Sequence, residues 1–252
     1  MASSSGTVLF LGGNGHCAAR LTPARSHAPF RLIDIPYPGF ESRPRAASWE
    51  AFLEVIAPKP PMLGEQEGTA IVYATGVGGL LALCLRARGE WLDLPLVMQG
   101  PVLWGLERRL MPRLMRLAPT QSLLRPMFAN PLFQRRFVRK YFTHPPSPET
   151  QRAFFDGYAR CAALPDLFRW LTPALLRELE AQLAAHPERL ANIRVWWGGQ
   201  DGVVSLQELR WTEKALHTTF PLRVFPDWGH YPMMDDSAGW AAAVAKELVA
   251  DA

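Results

Sequence analysis

The sequence contains few cysteines and no apolar run long enough to span a bilayer. Its three cysteines, Cys17, Cys84 and Cys161, stand in no Cys-x-x-Cys or Cys/His spacing. They therefore indicate neither a disulfide framework nor a zinc site, and we expect no metal and a reducing, cytoplasmic location. The longest apolar run, 70–85, is interrupted by glycines and is too short for a transmembrane helix. Because no basic region precedes the first apolar run, the pattern predicts no signal peptide.

Acidic residues are scarce in one part of the chain. Between positions 104 and 142 there are nine arginines and lysines but a single acid, Glu107, and the net charge of +4 has its origin here. Such a basic face could dock an acidic carrier, an anionic substrate or a membrane surface, although charges that only keep helices solvated would give the same pattern. No nucleic-acid-binding motif accompanies the charge, so we expect no nucleic acid partner.

The remaining composition is that of a folded globular protein. Hydrophobic residues make up 48% and charged residues 20% of the 252 positions, which argues against disorder or a fibrous repeat. This length suits one compact domain with an insertion. Composition thus indicates the structural class but not the function.

Strand-like and helix-like segments alternate along the chain. The strand-like segments are TVLFLGG, FRLIDIP, TAIVYAT, LPLVMQGP, NIRVWWGG and FPLRVFP. Helical patterns follow or separate several of them, among them VGGLLALCLRARG, SLQELRWTEKALH and the closing SAGWAAAVAKELVA. This order predicts a parallel sheet with crossover helices.

One segment, 104–185, interrupts the alternation. It has no convincing strand, and prolines, including the HPPSP cluster at 144–148, divide it into short helix-length pieces. We expect a helical lid here, inserted into a core formed by 1–103 and 186–252. Its methionines and phenylalanines would cover an apolar, acyl-sized pocket, with Met127 and Phe128 as substrate-binding candidates.

The first glycine-rich turn, LGGNGHCA, allows two interpretations. Gly13, Gly15 and Ala18 satisfy the G-x-G-x-x-A pattern after a strand, and Asp34 ends the next strand. That arrangement is the fingerprint of a dinucleotide-binding oxidoreductase. The Tyr-x-x-x-Lys motif of a short-chain oxidoreductase is absent, however, and this interpretation leaves the later motifs unexplained.

The second interpretation rests on four segments spread over the chain. DIPYPGFESRP resembles a strand-end segment of α/β-hydrolases, VWWGGQDGVVS resembles their acid loop, and FPDWGHYPMMDD resembles their histidine loop. In AIVYATGVGGLLALC, a strand, a turn and a helix follow one another as in the nucleophile elbow G-x-S-x-G. Together these segments resemble the α/β-hydrolase superfamily, and esterases and thioesterases in particular. The resemblance and the strand count imply an α/β fold with a mostly parallel sheet of about six strands, flanking helices and a lid.

The resemblance assigns roles to residues in the family's chain order. His230 would be the base and Asp201 its orienting acid, and the backbone N–H groups of Asn14 and Val77 would hold an oxyanion. Where the elbow needs serine, this chain has Gly76. A tight turn with positive φ favours glycine, and another residue there costs about 1–3 kcal/mol. We therefore interpret the turn as an elbow without a nucleophile.

Other polar residues near these motifs are weaker candidates. His16 lies in the glycine-rich turn, where it would either contact a ligand or cap the local chain. Thr75 is one residue early and should point away from the elbow apex. Cys17 suits a small buried position. Ser205 is expected to cap the following helix in an S-x-x-E capping box with Glu208.

Four functional hypotheses follow. The leading one is a protein of esterase or thioesterase descent that binds or acts on a small acyl-type compound, without a cofactor and without covalent hydrolysis. The second is a ligand-binding or interaction protein on the same fold. The third is a hydrolase whose natural serine has been replaced at position 76. The fourth is the dinucleotide-binding oxidoreductase.

Overall fold

Six β-strands form one sheet at the centre of the molecule. A computed structural model describes residues 6–57, 69–115, 117, 126–159, 161 and 164–250. The strands are β1 (Thr7–Leu11), β2 (Arg31–Asp34), β3 (Ala70–Thr75), β4 (Leu96–Gln99), β5 (Ile193–Gly198) and β6 (Leu222–Phe225). They lie in the order β2-β1-β3-β4-β5-β6, and every neighbouring pair is parallel. The predicted α/β fold with a six-stranded, mostly parallel sheet is therefore confirmed.

The inner strands are buried along almost their whole length. Every residue of β1 and β4 is buried, and so is all of β3 except Ala70. A parallel sheet covered on both faces requires such continuous apolar strands, which explains why these segments do not alternate polar and apolar residues. The outer strands β2 and β6 are more exposed.

Helices cover the sheet and connect its strands. They are α1 (Thr22–Arg25), α2 (Trp49–Ile56), α3 (Val77–Ala87), α4 (Leu110–Met115), α5 (Pro131–Tyr141), α6 (Pro148–Ala159), α7 (Leu164–Trp170), α8 (Pro173–Ala185), α9 (Leu206–Ala215), α10 (Pro232–Asp235) and α11 (Ser237–Ala250). Helix α11 packs on the sheet through Trp240, whose ring meets those of Phe10 and Tyr73 edge-on. Helix α3 is buried throughout.

Between β4 and β5 the described residues form helices and connecting loops, with no strand among them. This segment begins with a 3-10 turn, Trp104–Arg108, and continues through α4, α5, α6, α7 and α8. Helix α8 packs against α3 and so adjoins the helices of the sheet. The other four helices contribute side chains to a cavity at the carboxyl end of the sheet. The boundaries between core and lid at 104 and 185 stay a prediction.

Candidate active site

A tight turn joins β3 to α3 at Gly76. Its backbone has φ +53° and ψ −122°, a conformation that side-chain-bearing residues rarely adopt. The Gly76 carbonyl accepts the N–H of Val102 at 2.9 Å, and its N–H donates to the Gln99 carbonyl at 3.2 Å. Hydrogen bonds to the end of β4 and to the segment that follows it therefore hold this turn in its unusual conformation.

An imidazole and a carboxylate meet beside this turn. His230 follows β6 and Asp201 follows β5, and Nδ1 of the histidine lies 2.8 Å from Oδ2 of the aspartate. The two side chains are 3% and 0% exposed. Oδ1 of the aspartate accepts the N–H groups of Val203 at 2.7 Å and Val204 at 3.0 Å. Burial by itself would raise the pKa of Asp201, but the neighbouring His230 and these hydrogen bonds lower it below its ordinary value.

Backbone contacts hold the pair in place. The His230 N–H donates to the Tyr141 carbonyl at 3.0 Å, and the Tyr141 ring stands edge-on to the imidazole at 5.3 Å between centroids. Gly100, at the end of β4, has φ +47°, and a Cβ there would lie 2.8 Å from Oδ2 of Asp201. Because that contact is too close, only glycine leaves room for the pair at this position.

The pair faces the Gly76 turn. A Cβ built on Gly76 would lie 3.5 Å from Nε2 of His230 and 3.7 Å from Cα of Gly13. Asn14 and Val77 line the same cavity, and their backbone N–H groups donate no backbone hydrogen bond within the described residues. The structure thus brings together the three positions that the sequence predicted as catalytic, and the two residues predicted to supply oxyanion donors line the same cavity.

The cavity above this cluster has a volume of about 890 Å³. Its apolar lining is Val77, Val102, Leu106, Leu110, Pro112, Met115, Phe128, Phe133, Phe137, Tyr141, Tyr158, Leu164, Phe168, Val203 and Tyr231. Its other lining residues are Asn14, Gly76, Arg109, Arg136, Lys140, Glu208 and His230. A cavity of this size can enclose most of a small organic molecule.

An ion pair forms part of the cavity wall. Nη2 of Arg109 lies 2.7 and 2.9 Å from the two carboxylate oxygens of Glu208. The predicted capping box is therefore wrong: the Ser205 side chain makes no capping hydrogen bond at the start of α9, and the Glu208 side chain contacts the arginine instead. Nε of Arg109 is buried and has no hydrogen-bond partner among the described residues.

The structure separates the three predicted substrate-binding residues. Phe128 lines the cavity, whereas His16 and Met127 are not among the described residues that line it. Nε2 of His16 lies 2.6 Å from Oδ1 of Asp34, and Met127 lines a different hollow of about 630 Å³. His16 therefore belongs to the glycine-rich turn but does not line the described ligand cavity.

The Asp34 contact also weighs against a dinucleotide site. In that fingerprint the acid binds a ribose hydroxyl, and an α-helix begins directly at the glycine turn. Here the Asp34 carboxylate is engaged by His16, and the turn leads into a short 3-10 segment, Ala18–Leu21.

Two further candidates for a nucleophile lie in the interior. Cys17 is buried beside the Ala153 carbonyl, and burial raises the pKa of its thiol. Thr75 is fully buried, and its hydroxyl has no hydrogen-bond partner within the described part of the chain. Neither residue belongs to the described cavity lining.

Arg20 is a residue of the site that sequence reasoning missed. It is 2% exposed, and its Nη1 donates to the Asn14 carbonyl at 3.0 Å while Nη2 donates to the Phe154 carbonyl. Its guanidinium lies over the rings of Phe154 and Tyr158, 4.4 and 4.8 Å from their centroids. Arg20 therefore ties the glycine-rich turn to α6. A single arginine in an apolar stretch carries no sequence signal of this role.

Neither a metal site nor a membrane-spanning helix is found within the described residues. In the ranges given above, no three His, Cys, Asp or Glu side chains come close enough together to hold a metal ion. No helix of the described chain has the length and apolar character that a membrane crossing requires.

Comparisons with known proteins agree with this architecture. A loop variant of a haloalkane dehalogenase from Bradyrhizobium elkanii is 18% identical, with a TM-score of 0.66, and the match covers 99% of this chain and 90% of that one. A proposed aryl esterase from Burkholderia cenocepacia is 15% identical, with a TM-score of 0.70 and coverage of 99% and 92%. A proposed lipase from Acinetobacter baumannii is 14% identical, with a TM-score of 0.66 and coverage of 99% and 85%.

At these identities the structural likeness establishes the fold alone. The comparison with curated proteins gave no match. The model of the alpha/beta hydrolase family matches residues 8–243, nearly the whole chain. The chain therefore belongs to the alpha/beta hydrolase family.

Proposed function

We propose that this protein binds a small acyl-type compound in the cavity and acts on it through His230 as a general base, without a covalent acyl-enzyme. The observation that carries the proposal is the position of Nε2 of His230, 3.5 Å from where a Cβ of Gly76 would lie. In a serine hydrolase the nucleophilic hydroxyl receives its activation here. Glycine has no hydroxyl to acylate, so the imidazole is left to act on a water molecule or on the ligand.

The His230–Asp201 pair has the arrangement that general-base chemistry needs. The hydrogen bond to Asp201 engages Nδ1 as its donor, which leaves the Nε2 lone pair directed toward the Gly76 turn. Such an imidazole can direct water at a carbonyl or remove an acidic proton beside it, and the carboxylate stabilises the imidazolium that forms. The N–H groups of Asn14 and Val77 would hold the carbonyl oxygen as negative charge develops.

The helices between β4 and β5 would act as a lid over this reaction. Side chains of α4, α5, α6 and α7 line the cavity and would exclude bulk water from a bound ligand. We propose a reducing compartment, the cytoplasm, because Cys17 and Cys84 are buried and form no disulfide within the described chain. The basic residues of the helical segment would be the docking site of an acidic carrier or an anionic surface.

The test uses the chain as it stands with simple esters, thioesters and ketones. We expect no burst of acyl-enzyme, and either slow steady-state hydrolysis or exchange of α-protons with deuterated solvent, followed by NMR. His230→Gln should abolish this chemistry, while His27→Gln, at an exposed histidine, should leave it unchanged.

The outcomes separate the hypotheses. An acyl-enzyme burst from the unaltered chain, or chemistry that survives His230→Gln, would refute the proposal. Ligand binding without any His230-dependent chemistry would support the binding-protein hypothesis instead.

A further inference from the structure

One face of helix α5 lines the cavity, and its side chains repeat at intervals of four residues. Phe133, Phe137 and Tyr141 follow one another at intervals of four residues, and Arg136 and Lys140 form a second row at the same interval. All five line the cavity. Residues four apart lie on the same side of a helix, so the face carries an aromatic row beside a cationic row.

The aromatic row leads to the imidazole. The ring centroids of Phe133 and Phe137 are 5.2 Å apart, and those of Phe137 and Tyr141 are 4.3 Å apart and nearly parallel. The Tyr141 ring then meets the His230 imidazole at 5.3 Å. From Phe133 to Tyr141 the helix advances about 12 Å, at 1.5 Å for each residue. A medium-length acyl or aryl body can therefore lie along this row with one end at His230.

The cationic row has no counter-charge in the described structure. Arg136 and Lys140 are exposed, and no ion pair joins either of them to another described residue. Helix α5 contains no acidic residue. The one carboxylate in the described cavity lining, that of Glu208, is already bonded to Arg109. The cavity therefore has an excess of positive charge beside an apolar surface.

We propose that the ligand of this cavity is an amphipathic carboxylate. Its acyl or aryl body packs along the aromatic row, and its carboxylate binds Arg136 and Lys140. This inference rests on the proposed function only for what happens at the His230 end of the ligand. Recognition of the charged end depends on α5 alone.

The test compares two probes that differ only in charge, 6-phenylhexanoate and 6-phenylhexanamide. Calorimetric titration of the unaltered chain at low salt should show the carboxylate binding about tenfold more tightly than the amide, because each charge-assisted contact at an exposed site contributes a factor of a few. Added salt should shrink this ratio. The double variant Arg136→Gln/Lys140→Gln should bring the ratio of the amide Kd to the carboxylate Kd close to one. It should change the amide Kd itself less than about twofold.

Matched controls lie on the same helix. Arg135→Gln and Arg139→Gln remove the same charge from residues outside the described lining of this cavity, and they should leave the ratio intact. Circular dichroism of each variant checks that the fold is retained. Equal binding of the two probes, or an equal loss of the ratio in the control variants, would overturn the proposal.

The two proposals fail separately. The ratio of the two Kd values requires no turnover, so a carboxylate preference without His230-dependent chemistry would refute only the proposed function. His230-dependent chemistry with no preference between the probes would refute only this inference.

Discussion

The sheet and helix α5 hold the residues of the site in different ways. Gly76, Asp201 and His230 follow β3, β5 and β6 along the chain, and the Asp201 and His230 side chains are almost completely buried. No residue of α5 is fully buried, although one of its faces lines the cavity. The three positions of the pair and the turn thus lie in loops that directly follow strands of the sheet. The residues that we propose select a ligand lie instead on a helix whose residues are all at least partly exposed.

We expect the largest effect from Gly100→Ala, which changes the packing around the residues that follow the sheet strands. The new Cβ would lie 2.8 Å from Oδ2 of Asp201 at a position with positive φ. The strain should lower the free energy of unfolding by about 1–3 kcal/mol. Displacement of the His230–Asp201 pair should reduce His230-dependent turnover about 100-fold. Urea unfolding and initial rates measure the two losses.

Gly89→Ala is the matched control for that variant. Gly89 also has positive φ, +83°, but a Cβ there would meet no atom within 4 Å. It should lose stability through backbone strain and keep its turnover. Equal loss of turnover in both variants would mean that Gly100 does not make room for the pair.

Gly76→Ser should have the next largest effect. The Cβ of the new serine would lie 3.5 Å from Nε2 of His230. Its hydroxyl could then form an acyl-enzyme. Because φ is +53° in this turn, we expect a loss of about 1–3 kcal/mol in stability together with a new burst of product from activated esters. Stability equal to that of the unaltered chain would show that the turn is not strained. A stable variant without a burst would show that the oxyanion donors are not aligned.

Arg20→Met tests the link between the sheet and the helices. Arg20 donates to the carbonyls of Asn14 and Phe154, one after β1 and one in α6. Loss of two buried hydrogen bonds, offset in part by the removal of a desolvated charge, should cost about 1 kcal/mol. Arg20→Lys should recover part of this loss. A more stable methionine variant in thermal unfolding would show that the buried charge is a net cost.

The smallest effect should be the dependence of stability on pH through Asp201. Its folded pKa is lowered, so its stabilising contribution is complete above the ordinary pKa of about 3.9 and is lost as pH falls through the lowered value. Urea unfolding between pH 7 and pH 3 should therefore show the unaltered chain approaching Asp201→Asn in stability at the acid end. A constant difference between the two chains across this range would contradict the lowered pKa.

Much of the sheet could be predicted because its signals are local. The apolar run at 70–75 and the glycines after it predict a strand and a sharp turn, and both are present. Asp201 and His230 follow strands that also have local signatures. Parallel strands bring their carboxyl ends to one edge, so residues distant in sequence could be expected to meet there.

Other residues could not be placed because their environment depends on distant partners. His16 is held by Asp34, and Glu208 is turned away from its helix N-terminus by Arg109. Local pattern favoured a ligand contact or cap for His16 and a capping box for Glu208. In both cases a side chain from another element offered a charged partner, and such an interaction is stronger than a neutral local hydrogen bond.

The sequence by itself determined the strands, the order of the site motifs and the glycine at the elbow, because periodicity and turn chemistry act over a few residues. Only the tertiary structure decided which cations of the basic segment face the cavity. Packing of Phe137 against Phe154 and Tyr158 of α6 sets the rotation of α5, and with it Arg136 and Lys140 turn toward the site. That rotation is set by contacts between helices, which composition and spacing along one helix do not specify.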